Sequence, residues 1–237
     1  MTEGPDEVAP DGAAPDSPAA ADRLVLAAAA ADWDRLGPLL DAEPEVRDRL
    51  AALLTAYRGS SRPGRFAAEA ARLLREALPA EFGDGAAGRL VPTAPAGAKA
   101  PSVRGFVAED LVVLLVDGHR MAGPVLGAVR DRLLAEPAVA PDTVGARGPD
   151  PGGSGLIRLP GPGGRPRLPL FQFDEGLSPR SVVLDVNRLL GADADPWGVA
   201  DWWLSGNAWL GTAPARLLGS GQDGRLLDAA RLLKEAD

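Results

Sequence analysis

The side chains able to do chemistry in this chain are few, and their spacing gives them little to act on. His119 is its one histidine. It follows the turn glycine Gly118, and no serine or cysteine stands beside it to be activated as a nucleophile. Cysteine is absent, which removes thiolate nucleophiles, disulfides and cysteine-ligated metals. Two carboxylate pairs remain, Glu109/Asp110 and Asp174/Glu175. Acid–base work needs carboxylates whose surroundings drive their proton affinities apart, and adjacent acids without a partner are ordinarily solvated. Asp193 and Asp195 precede Pro196, which fits a helix cap better than a cation site, since the EF-hand spacing is missing. The turn Gly161-Pro162-Gly163-Gly164 lacks phosphate-loop spacing and has proline where a backbone donor is needed. The motifs HExxH, GxSxG and GxxxxGK[ST] do not occur. The expectation is a non-enzymatic protein with no catalytic residues, no cofactor and no metal.

Recognition chemistry is another matter. Four of the five tryptophans, Trp197, Trp202, Trp203 and Trp209, fall within thirteen residues. Phe171 and Phe173 lie just upstream in Leu168-Pro169-Leu170-Phe171-Gln172-Phe173. Aromatic side chains bury large areas at small entropic cost and dominate both small cores and partner-binding surfaces. Consecutive helical positions diverge by about 100°, so Trp202 and Trp203 cannot both enter one small core. At least one of them is expected to face a partner or the N-terminal module.

The elements that must position these residues read as follows. Phe171 and Phe173 are expected on one side of a strand with Gln172 on the other. Leu156–Leu159 and Leu168–Phe173 flank Gly161–Pro166 as an irregular hairpin. Val182, Val183, Val186, Leu189 and Leu190 stripe a helix. Asp195-Pro196 opens another helix through Leu204, and Asn207 suits left-handed or capping geometry in the loop after it. Pro214 starts a short turn to Leu218. Arg225 to Leu233 forms the last helix, with Leu226, Ala229, Ala230 and Leu233 inward.

Upstream, residues 1–21 have almost no large apolar side chain and no basic residue and are expected to be a disordered acidic tail. A helix should start at Asp22 and stop at Gly37-Pro38. A second runs from Pro44 to Gly59 on Val46, Leu50, Leu53, Leu54 and Tyr57. A third carries Phe66, Ala70, Leu73, Leu74 and Leu78 and ends at Pro79. These give an N-terminal helical module over 22–82, followed by an Ala/Gly/Pro linker over 83–103. In the central segment, 104–153, the run Leu111–Val116 is either a buried strand or a buried helical turn. Pro124 then opens a helix with Val125, Val129 and Leu133 inward and Arg130, Asp131 and Arg132 outward, and 137–153 is loop. The fold class is mainly α, with a small helical domain over 154–237 preceded by a short β-hairpin.

Net charge is −8, divided as −5 over residues 1–99, +1 over 100–173 and −4 over 174–237. That balance argues against binding to a phosphate backbone as the main activity. The acidic N-terminus and the lack of any long apolar run predict a cytoplasmic protein without a membrane segment.

From Arg165 onward the order is specific. It runs Arg167, Pro169, Phe171-Gln172-Phe173, the helix at 181–190, Trp203-Leu204, Asn207, Leu210, Pro214, Leu217-Leu218 and a closing Ala/Leu helix. In that order residues 155–235 resemble the toxin-binding domain of Xre/MbcA/ParS-like antitoxins, although Leu210 to Pro214 is one residue shorter than is common there. The resemblance implies a protein partner, a RES-domain toxin directed at NAD and encoded nearby, whose active-site entrance the antitoxin covers. It implies partner contacts from Phe171, Gln172, Phe173, Trp197, Trp202, Asn207 and Trp209. The closing helix would be a plug bearing Arg225, Arg231 and Lys234. Trp203, Leu204, Leu210, Pro214 and Leu217 would form the core of the motif. Two alternatives stand beside it: a DNA-binding regulator using the central segment, and a structural adaptor that kept the fold without a toxin. Self-association is left open.

Overall fold

The computed structural model describes residues 18–82, 100–147, 150–161 and 164–236. It is mainly helical with one small antiparallel sheet, as the sequence predicts. The described chain divides into two compact units, one up to Pro124 and one from Val125. The division falls inside the expected central segment rather than at its ends. Most of the expected tail and linker, 1–17 and 83–99, lies outside the described residues. The rest of each is ordered: residues 18–21 are helical, and Ser102 and Val103 are buried.

The first unit contains α1 (Pro18–Ala31), α2 (Trp33–Asp41), α3 (Pro44–Gly59), α4 (Gly64–Ala77), the single turn α5 (Pro79–Phe82) and α6 (Ala108–Leu115). Its centre is α1, buried continuously from Val25 to Ala30. Alanines there let α4 and α6 pack closely against it. The start at Asp22 and the stop at Gly37-Pro38 are both corrected. The chain breaks at Asp32 instead, and Pro38 lies within α2. Pro38 and Asp34 are both exposed, so the Asp34 carbonyl that loses its helical donor stays in water. Gly37 has a packing role: a Cβ there would sit 3.3 Å from the Trp33 ring. Helices α3 and α4 match their predicted stripes, with Leu50, Leu54, Tyr57, Leu73 and Leu74 buried.

The run Leu111–Leu115 is a helix, apolar on every side because every side is covered. It joins the N-terminal helices in one core, so it is no separate segment. Both acids of the Glu109/Asp110 pair have partners, although Glu109 is exposed and only Asp110 is buried. Glu109 Oε1 accepts the Tyr57 hydroxyl at 2.6 Å. Asp110, 5% exposed, accepts the Val107 N–H on Oδ2 and the Gly123 N–H on Oδ1, both at 2.9 Å.

Burial, then the hydrogen bond to Glu109, holds the Tyr57 phenol well above its usual ionisation range near 10. A phenol raised in the folded state contributes stability that is complete below about pH 10 and is lost as pH rises beyond it. Tyr57 is the chain's one tyrosine, so phenolate absorbance reports it alone. We expect no phenolate until the first unit unfolds in alkali, and earlier ionisation in Glu109→Gln. A wild-type transition near pH 10 with the fold intact would contradict this.

The second unit takes most of α7 (Gly123–Ala135), then β1 (Ala138–Val139), α8 (Pro141–Gly145), β2 (Leu159–Pro160) and β3 (Pro166–Pro169). A 3-10 turn at Leu170–Gln172 leads to α9 (Ser181–Leu190) and α10 (Pro196–Leu204). A second 3-10 turn at Pro214–Leu217 precedes α11 (Asp223–Ala236). The hairpin is present: β2 pairs with β3 through Leu159↔Arg167 and Pro160↔Pro166. β1 pairs with β3 through Ala138↔Pro169 and Val139↔Leu168, so the stretch expected as loop holds a strand and a short helix. Leu133 faces inward as predicted, but Val125 is exposed. Arg130, expected outward, has only 16% of its side chain exposed. No helix among the described residues is long and apolar enough to cross a membrane.

Candidate recognition surface of the second unit

The aromatic cluster separates into a buried set and a displayed residue. Trp203 is fully buried, and its indole N–H donates to Asn187 Oδ1 at 2.7 Å. Asn187 Nδ2 donates to the Gly155 carbonyl at 2.7 Å and to Gln172 Oε1 at 3.2 Å. Gln172 Oε1 also accepts the Ile157 N–H at 2.7 Å, and its Nε2 donates to the Ile157 and Pro169 carbonyls at 3.1 and 3.3 Å. Three fully buried side chains thus tie the loop before β2, the end of β3, α9 and α10 together, with nearly all hydrogen-bonding capacity used.

This placement corrects three of the residues expected at a partner surface. Gln172 and Phe173 are buried, because residues 170–172 form a 3-10 turn and the alternation of a strand does not apply. Trp197 is buried in the first turn of α10. Phe171 and Trp202 are half-buried and both lean on Trp203, with ring centroids 5.5 and 5.1 Å away. Among the expected core residues, Trp203, Leu210 and Pro214 are buried, and Leu204 and Leu217 are half-buried.

Asn207 organises the following loop as a cap, without left-handed backbone. Its Oδ1 accepts the N–H groups of Trp209 and Leu210 at 2.9 and 3.1 Å, and its carbonyl accepts that of Gly211 at 2.8 Å. The Asn207 N–H donates to the Thr212 carbonyl at 3.1 Å. Gly211, at φ +74°, supplies the left-handed residue that reverses the chain. Leu210 points into the core and Trp209 out of it, 66% exposed.

In α11, Leu226, Ala229 and Ala230 bury against α9, but Leu233, expected inward, is exposed with Leu232. Arg225, Arg231 and Lys234 are exposed. Arg225 bonds Gln222, and Arg231 pairs with Asp228 at 3.0 Å. The acids named from sequence have local tasks. Asp174 Oδ1 accepts the Gly176 and Ser178 N–H groups at 2.8 and 2.9 Å. Asp195 caps α10 through the Gly198 N–H at 2.9 Å, as predicted. Asp193 accepts the Ser154 hydroxyl at 3.0 Å, and Glu175 is exposed. His119 Nδ1 accepts the Met121 N–H at 3.2 Å.

No protein-family model, curated protein or solved structure matches this chain. Asn187 is the organising residue that sequence reading missed. Its one signal is an amide set four positions after Val183, inside the α9 stripe.

Proposed function

We propose that the chain is a non-enzymatic, antitoxin-like protein whose second unit binds a RES-type, NAD-directed toxin and covers its active-site entrance. The observation that carries the binding reading is Trp209: a large aromatic held out of the core on a loop whose shape is fixed by internal hydrogen bonds. Exposed tryptophan on a preorganised element is the composition of a binding hot spot. The antitoxin assignment is supported by the ordered residues that resemble those domains. Of these, Trp203, Leu210 and Pro214 are buried, as core residues of the motif would be, and Asn207 forms the cap. In this reading α11, with Arg225, Arg231 and Lys234 exposed, is the part that reaches the toxin's entrance.

The test is capture of partners on the tagged full chain in its native cell, with the bound protein assayed for NAD loss. Recovery of a protein that consumes NAD only when the chain is removed is the expected outcome. Partners that leave NAD untouched would overturn the antitoxin assignment.

A further inference from the structure

We infer that the partner receives Trp209 in an uncharged apolar cleft offering one acceptor to the indole N–H, and that Asn207 is the positioning residue that presents it. This rests on the toxin-binding reading above. From Gly206 to Ala215 the chain carries no charged residue, while Arg132 reaches Ser205 just before this stretch and Arg216 is exposed just after it. Asp201, upstream of that stretch, is already paired with Arg132 and accepts the Ser205 hydroxyl. A complementary surface for such a stretch is uncharged, since a charge opposite it would be desolvated without compensation.

The loop also limits which polar contact is available. The N–H groups of Trp209, Leu210 and Gly211 are bonded to Asn207. Among the described residues the Trp209 indole N–H has no partner, so it is a donor left for a bound molecule. Asn207 fixes the turn, Gly211 permits it, and Leu210 pins it to the core. The entropic cost of ordering the backbone that carries the exposed tryptophan is thereby met before the partner arrives.

The experiment titrates the full chain into a purified, catalytically inactivated RES-domain toxin from the same genome. Trp209→Ala should weaken Kd by about 30-fold or more, the size of a hot-spot loss. Trp209→Phe keeps the ring without the donor and should weaken it by about 3- to 10-fold. Asn207→Ala should cost about tenfold and loosen amides 208–211 in the free protein, whereas Asn207→Asp, which accepts the same two N–H groups, should keep those amides ordered. The ratio of the Trp209→Ala Kd to that of the unaltered chain should change by less than about threefold between about 50 and about 500 mM salt, because the contact it reports is uncharged. In the free protein, amides 208–211 should have order parameters of about 0.85, as rigid backbone does. The Trp209 variants should unfold at the urea midpoint of the unaltered chain, as expected for an exposed site.

If the unaltered chain binds and Trp209→Ala binds equally well, the inference fails while the antitoxin reading stands. A Trp209→Ala loss that disappears as salt is raised would also overturn it. Self-association that Trp209→Ala abolishes would make a second copy the occupant. If the unaltered chain does not bind the toxin, the reading and the inference fall together.

Discussion

Replacing Asn187 with leucine is expected to lower the stability of the second unit by about 3 kcal/mol. Leucine fills nearly the same space, so a large cavity is not the cause. The indole N–H of Trp203 and the carbonyl of Gly155 would both lose their partner in a dry interior, and each buried orphan costs about 1–3 kcal/mol. Gln172 Oε1 keeps the Ile157 N–H, which limits the total. Asn187→Asp should be at least as damaging. It retains the acceptor for Trp203, but it turns an acceptor toward the Gly155 carbonyl and Gln172 Oε1. Urea unfolding followed by tryptophan emission measures this, because four of the five tryptophans lie in this unit. Gln172→Leu should cost a similar amount, and the double variant less than the sum, since both singles remove the bond between the two amides. A loss below about 0.5 kcal/mol for Asn187→Leu, the range of an ordinary surface change, would mean that the network does not hold the unit together.

The same network shows what was legible in the sequence. Helices with a regular stripe and clear punctuation were readable: Pro44 opens α3, Asp195 caps α10, and the valines of α9 all face inward. The hairpin was readable because Gly161–Pro166 separates two apolar stretches. Gln172 was not. Alternation set it on the opposite side of a strand from Phe171 and Phe173, and the resemblance made it a partner contact, whereas a 3-10 turn after Pro169 rotates it into the core, where its amide meets main-chain groups distant in sequence. Trp197 was misplaced for a related reason. An aromatic in a first helical turn faces whatever is folded beneath the cap, and the local pattern does not show what that is. The geometric argument about Trp202 and Trp203 did identify a real conflict. It is settled by burying one and leaning the other across it edge-on. Trp209 was visible as a residue type, but its display depends on the hydrogen bonds of Asn207.

In the first unit, Asp110→Ala is expected to cost about 3 kcal/mol and Asp110→Asn about 2 kcal/mol, because the Val107 and Gly123 N–H groups would lose acceptors inside the core. An amide is a poor substitute: its oxygen can serve one donor, but its nitrogen then confronts the other N–H. The two bonds join the start of α6 to Gly123, so the loss should reach beyond the helix cap itself. Gly123 is itself a position that only glycine fits. Its φ is +81°, and a Cβ there would lie 2.6 Å from the Phe106 ring. Gly123→Ala should therefore also destabilise the unit, through strain rather than a missing acceptor. The near-ultraviolet signal of Tyr57, which is bonded to the neighbouring Glu109, gives a local probe for both variants. If Asp110→Asn unfolds at the wild-type midpoint, the two N–H groups have found water and Asp110 is not the clasp. If Asp110→Asn falls and Gly123→Ala does not, the bond matters but the backbone around Gly123 is freer than its packing against Phe106 implies.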